Sequence, residues 1–264
     1  MRIAESAQAA RGARFELFGV HLTVAGTESA VRALLDLPKS GARARVHFCN
    51  VNSLVMAQSD PRLRQVFEPP AIVFTDGMPL VWLARLQGCD DQRVTGPDVM
   101  ESVIDAGREH GYRHFFYGGD PGVPEELVAA LSRRFPGFHV SGTYSPPFRP
   151  LTAAEDARVV EMINNASPDF LWVGLGSPKQ ESWLFEHRER LTVPVMLAVG
   201  AAFNFHSGRV RRAPLWMQHV GLEWLYRLQS EPRRLWRRYA STNFRFAAMV
   251  AGRWLRGPWA GRNA

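Results

Sequence analysis

Cysteine is scarce in this chain of 264 residues, where only Cys49 and Cys89 occur. With no CxxC spacing they give neither a zinc or dithiol redox motif nor the density of a disulfide scaffold, so a reducing, cytoplasmic setting is expected. Long apolar runs are missing too. No stretch of about 18 apolar residues is available to cross a bilayer, and Met1 to Gly12 is small and polar, without the apolar centre of a signal peptide. Internal repeats and low-complexity tracts are absent. Two familiar binding signatures also fail. Gly174-Leu-Gly and Gly118-Gly do not complete G-x-G-x-x-G near the first strand, which weighs against a nicotinamide-dependent oxidoreductase. Asp90 and Asp91 are adjacent and lack further ligand-like neighbours, so they form no D-x-D pair; no metal and no other cofactor is expected.

Acids are scarce at one end only. Residues 208–264 hold 12 arginines against two acids, Glu223 and Glu231, a net of +10, whereas residues 1–207 hold 20 bases and 23 acids, a net of −3. The basic tail also contains Trp216, Trp224, Trp236, Trp254 and Trp259, five of the eight tryptophans. Arginine interleaved with tryptophan suits a surface that offers phosphates beside apolar matter, either a membrane interface or a nucleic acid. A solvated basic face is the plainer reading, and the tryptophans argue against it.

What is present is an alternation of strand and helix. Arg14 to Val20 reads as a first strand, and Thr27 to Leu37 as a helix capped by Thr27 and ended by Pro38. Arg45 to Asn50 is a strand, Ala71 to Thr75 another that runs straight into Asp76 and Gly77, and a helix follows to about Leu86. Thr95-Gly-Pro-Asp98 opens a further helix. Strands are then read at Arg113 to Tyr117, Phe138 to Gly142, Phe170 to Gly174 and Val195 to Val199, with a capping box at Thr152 and Glu155. This is the pattern of an α/β, Rossmann-like, mostly parallel sheet with flanking helices. From Pro214 two or three amphipathic helices form a basic C-terminal appendage, Pro232 lying near the start of one of them. The expected organisation is a flexible N-terminus over 1–13, a catalytic domain over 14–207 and an appendage over 208–264.

In such a sheet the C-terminal strand ends form the ligand crevice. Asn50 and Asp76 both stand at strand ends, and each also reads as an N-cap of the helix that follows. Gly118 and Gly119 would let backbone approach a phosphate or ribose, and equally make a tight turn. Lys179, Gln180 and Glu181 open a helix after a glycine-rich turn; Glu181 reads first as a carboxylate on the helix dipole.

Taken in order, Asn50, Thr75-Asp76-Gly77, Arg93 with Thr95-Gly96-Pro97-Asp98, Gly118-Gly119, Val173 to Glu181, Gly208 with Arg212-Ala213-Pro214 and Leu222-Glu-Trp-Leu-Tyr-Arg227 with Glu231-Pro232-Arg233 resemble the WecG/TagA/CpsF glycosyltransferases. The resemblance implies inverting transfer of a hexose or N-acetylhexosamine from a UDP-sugar to a polyprenyl-diphosphate-linked saccharide, in cell-surface or exopolysaccharide synthesis. It places the enzyme on the cytoplasmic face of the membrane, held there by the appendage. Family members are often oligomeric. Asp76 matches the general base. Asn50, Thr75, Arg93, Gly118, Gly119, Lys179 and Gln180 fall at the sugar-nucleotide site. Arg212, Arg227, Arg234 and Arg237 fall where acceptor diphosphate or membrane is bound. Phe48 stands where many members have threonine, which points to a donor other than one of N-acetylmannosamine type. An oxidoreductase and a basic nucleic-acid-binding module remain the competing readings; on the resemblance, nucleic acid is not a partner.

Overall fold

The structure, a computed structural model, describes residues 13–230 and 232–255, apart from the side chains of residues 230, 234 and 238. The expected flexible N-terminus and Trp259 fall outside these residues, Ala13 excepted. Eight strands form one sheet: β1 (Arg14–Leu17), β2 (Val20–Thr23), β3 (Ala44–Cys49), β4 (Ile72–Thr75), β5 (Arg113–Gly118), β6 (His139–Tyr144), β7 (Phe170–Gly174) and β8 (Val195–Ala198). Their order is β1-β2-β4-β3-β8-β7-β5-β6. Every pairing is parallel except β1 with β2. Parallel strands covered on both faces read as continuous apolar runs, and β3 and β4 are buried at every position.

Helices cover the sheet in three apolar clusters. One face carries α1 (Thr27–Ser40), α5 (Gly96–Gly107), α6 (Val123–Arg134) and α9 (Ala202–His206), packed on Val46, Phe74, Phe116, Trp172 and Leu197. On the other face, α2 (Val51–Ser59), α3 (Pro61–Val66) and α4 (Met78–Leu86) cover Cys49 and Val73. Beside them α7 (Ala153–Ala166) and α8 (Lys179–His187) cover Phe115, Leu171 and Met196. The tail adds α10 (Leu215–His219), α11 (Glu223–Ser230) and α12 (Pro232–Leu255). Among the described residues no helix is long and apolar enough to cross a membrane.

Two local expectations are corrected. The single strand read from Arg14 to Val20 is the first arm and turn of a hairpin, because Phe18 and Gly19 both take positive φ, the geometry that reverses a chain between two twisted strands. The helix read to end at Pro38 runs on to Ser40. A proline in the last turn forfeits one hydrogen bond, and the extra turn buries Leu37 and Ser40 before Gly41, at φ 69°, closes the helix. Its N-cap is Gly26, one residue before Thr27; the Ser29 hydroxyl accepts from the Gly26 N–H at 3.1 Å and donates to its carbonyl at 2.9 Å.

The tail is built into the body. Phe246 and Val250 of α12 pack on the cluster beneath α2 and α4, Leu235 is fully buried, and the Thr242 hydroxyl donates to Asn52 Oδ1 at 3.3 Å. Gly221, which links α10 to α11 at φ 73°, sits so close to α4 that a Cβ there would lie 2.9 Å from that of Met78.

Candidate active site

The loops that leave β3, β4, β5, β7 and β8 converge on a cavity of about 1280 Å³, closed on the far side by Glu223, Trp224 and Arg227 of α11 and by Tyr239, Asn243 and Phe246 of α12. Of the residues picked out in the sequence, it brings together Asn50, Asp76, Arg93, Gly119, Lys179, Gln180, Arg212 and Arg227. Phe48 also lines it, packed against Phe74 with ring centroids 6.0 Å apart.

Asp76 does not cap α4. The N-cap is Gly77, with no side-chain cap bond, and the Asp76 amide donates to the Cys49 carbonyl at 2.8 Å, which ties the end of β4 to β3. Its carboxylate is left to Arg93, whose Nη2 lies 3.3 Å from Oδ1. With its side chain 21% exposed, burial pushes the Asp76 pKa up to about 7; Arg93 opposes that rise, Glu223 adds to it, Arg212 opposes and Asp98 adds. A carboxyl poised near neutrality is what a general base requires.

The charges around it form a chain. Arg93 Nη2 also donates to Glu223 Oε2 at 2.5 Å, and its Nη1 donates to the Gln218 carbonyl at 3.4 Å. Arg212 Nε lies 3.7 Å from Glu223 Oε1, and Arg212 donates to both oxygens of Asp98. The Thr95 hydroxyl, which caps α5 by accepting from the Asp98 N–H, donates to the same carboxylate at 2.6 Å. Burial opposes ionisation of Asp98, yet the bonds from Arg212 and Thr95 hold its pKa below the ordinary carboxylate value. The acid that opens α5 therefore serves a tail arginine as well as the helix dipole.

Beside the Asp76-Gly77 turn, where a Cβ on Gly77 would lie 3.6 Å from the Asn50 Cα, Asn50 both lines the cavity and caps α2, its Oδ1 accepting from the Ser53 N–H at 3.1 Å. Buried Gln180 accepts from the Gly176 N–H at 3.2 Å and donates to Glu181 at 3.2 Å, fixing the glycine-rich turn. Glu181 stands in the first turn of α8, and burial pushes its pKa up. Lys179 lies over the Phe148 ring, 5.1 Å from its centroid, at the cavity mouth. Arg227 reaches over Phe205, 5.9 Å from the centroid.

Other candidates are placed elsewhere. Thr75 is fully buried and stands outside the cavity lining, as does Gly118. Gly118 instead allows two strands to touch: at φ 121°, an added Cβ would lie 2.6 Å from the Gly174 carbonyl carbon. Pro232 separates Arg227 on α11 from Arg237 on α12. Arg237 is exposed and lies over Trp236. The Arg234 side chain lies outside the described residues. Glu223 has no role assigned from sequence, where it stands as one of two acids in the basic tail and as part of the Leu222-to-Arg227 motif. The available signal was a lone acid beside a tryptophan amid arginines. Among the described residues no group of three or more His, Cys, Asp or Glu is placed to hold a metal ion.

The family model for the glycosyl transferase WecG/TagA/CpsF family matches residues 15–259. The chain belongs to that family. Two relatives carry the name N-acetylglucosaminyldiphosphoundecaprenol N-acetyl-beta-D-mannosaminyltransferase. The one from Bacillus spizizenii (strain ATCC 23059 / NRRL B-14472 / W23) is 33% identical over 186 residues, 70% of each chain. The one from Bacillus subtilis (strain 168) is 32% identical over 170 residues, 64% of each chain. The protein is thus a glycosyltransferase, and the oxidoreductase and nucleic-acid readings fall away.

Proposed function

We propose that this transferase moves a hexose or N-acetylhexosamine from a UDP-sugar to a polyprenyl-diphosphate-linked saccharide, with inversion at the anomeric carbon, in cell-surface or exopolysaccharide synthesis. The observation that carries the reading is Asp76: a strand-end carboxyl with its pKa near 7, in a large cavity flanked by arginines from both body and tail. Asp76 takes the proton of the acceptor hydroxyl as that oxygen attacks the anomeric carbon. The bond to the donor diphosphate breaks on the opposite face, and its electron pair leaves with UDP. Arg93, Arg212, Lys179 and the amides of the glycine-rich turns meet the developing charge. No metal or other cofactor has a part in this scheme, so transfer is expected to continue in EDTA.

The relatives' names support the acceptor half of this reading, since they act on N-acetylglucosaminyl-diphosphoundecaprenol. The appendage rests on the cytoplasmic face of the membrane. Trp216, 62% exposed, and Trp236 and Trp254, also outward, share the tail with Arg211, Arg233 and Arg253, and Arg237 lies over the Trp236 ring, a mixture suited to the headgroup boundary. Phe48 places a ring where a smaller hydroxyl side chain would offer a hydrogen bond, which favours a donor other than UDP-N-acetylmannosamine.

The test is a panel of UDP-sugars offered with lipid-linked acceptors, with and without EDTA, read by mass spectrometry of the lipid product. One elongated lipid with inverted configuration is expected. A product whose anomeric configuration is retained, or no product from any UDP-sugar, refutes the reading.

A further inference from the structure

Arg93, expected at the donor, and Arg212, expected at the acceptor, meet on one carboxylate. Glu223 engages Arg93 through Oε2 at 2.5 Å and approaches Arg212 through Oε1 at 3.7 Å. Its side chain is only 15% exposed, and it is the first residue of α11, followed on the cavity wall by Trp224 and Arg227. Three carboxylates, Asp76, Asp98 and Glu223, thus share two guanidiniums. Asp76 and Asp98 come from the α/β body beside the strand ends; Glu223 alone comes from the tail. A carboxylate hydrogen-bonded by one arginine and ion-paired with a second occupies the same planar donors that would hold a phosphate.

We propose that Glu223 is a positioning residue that acts as an internal stand-in for a substrate diphosphate. It keeps Arg93 and Arg212 aimed into the cavity and seats α11 until an entering diphosphate takes its place on them. Exchange of one anion for another keeps the arginines paired throughout, so neither guanidinium has to be stripped of water anew when substrate binds. It also frees the first turn of α11, the helix on which Trp224 and Arg227 line the cavity. That the anion is a diphosphate rests on the proposed transfer from a nucleotide sugar; the competition between Glu223 and an anion does not.

The experiment uses the full chain and two probes, inorganic pyrophosphate and UDP, titrated calorimetrically. Glu223→Gln keeps the size and removes the charge, and is expected to bind pyrophosphate about tenfold tighter than wild type, the scale of one charge-assisted hydrogen bond. Glu223→Asp, which keeps the charge, should stay within a few-fold of wild type. Unchanged or weaker pyrophosphate binding by a Glu223→Gln protein that melts like wild type overturns the proposal. Should that variant fail to fold, hydrogen exchange on wild type decides: saturating pyrophosphate should speed exchange in residues 222–230, and protection or no change there refutes displacement. Pyrophosphate bound without UDP would sink the donor reading and leave the role of Glu223 standing. Binding of neither probe sinks both.

Discussion

In the proposed transfer a single carboxyl, that of Asp76, takes the acceptor's proton. In the unfolded chain Asp76 titrates near 3.8; in the folded protein burial lifts it to about 7. Half of it is therefore ionised at about neutrality, and the acid limb of kcat/KM is expected to have its midpoint at about pH 7; a midpoint near 4 would show that Asp76 is not the base. Asp76→Asn removes the acceptor of the proton and should lower transfer by roughly 10²–10⁴-fold while leaving UDP affinity in place. The same substitution has a signed effect on stability. A carboxyl whose folded pKa is raised keeps its full stability below the unfolded value and loses it as pH climbs through the folded value. Asp76→Asn should therefore raise Tm at pH 8 and raise it less at pH 5, Arg93 keeping Glu223 as partner in both. The identity of this residue was legible in sequence as an acid at a strand end, but its state was not. The local pattern favoured a helix cap, and the cap proved to be Gly77, because the carboxylate gains more from a guanidinium that arrives from 17 residues later.

At the scale of elements, the parallel strands and their helices were readable from apolar runs, glycines and caps, and the ends of α2 and α4 fall where Asn50 and Leu86 led one to expect. Contacts between elements were not. Gly118 reads as a glycine of a ligand-facing loop or of a tight turn, whereas the sheet uses it to bring β5 onto β7. Gly118→Ala is expected to destabilise the protein by about 1–3 kcal/mol from backbone strain alone, with the Gly174 clash added to it; an unchanged Tm would contradict the close approach. The tail helices show the same division. Their amphipathic spacing was visible, yet Phe244 and Phe246, both apolar in one helix, part ways: Phe246 packs on the core and Phe244 faces solvent.

For the whole molecule, the appendage is one wall of the cavity as well as a basic surface. Truncation after Ala213 removes Glu223, Trp224, Arg227, Tyr239 and Phe246 from the cavity and uncovers the apolar face under α12. The truncated protein is expected to leave anionic liposomes and to lose transfer, and detergent-dispersed acceptor should not restore it; recovery in detergent would reduce the tail to an anchor. The sequence by itself determined the α/β class, the order of the strands' chemistry-bearing ends and the uneven charge. Each of these is set by short-range pattern, by composition, or by an ordered set of motifs matching a known family. Only the tertiary structure decided that Arg93 and Arg212 share Glu223, and that burial among them holds Asp76 near neutrality. Glu223 lies 130 residues from Arg93 along the chain, and desolvation is a property of everything that packs around a group, so neither fact has a local signature for a sequence to display.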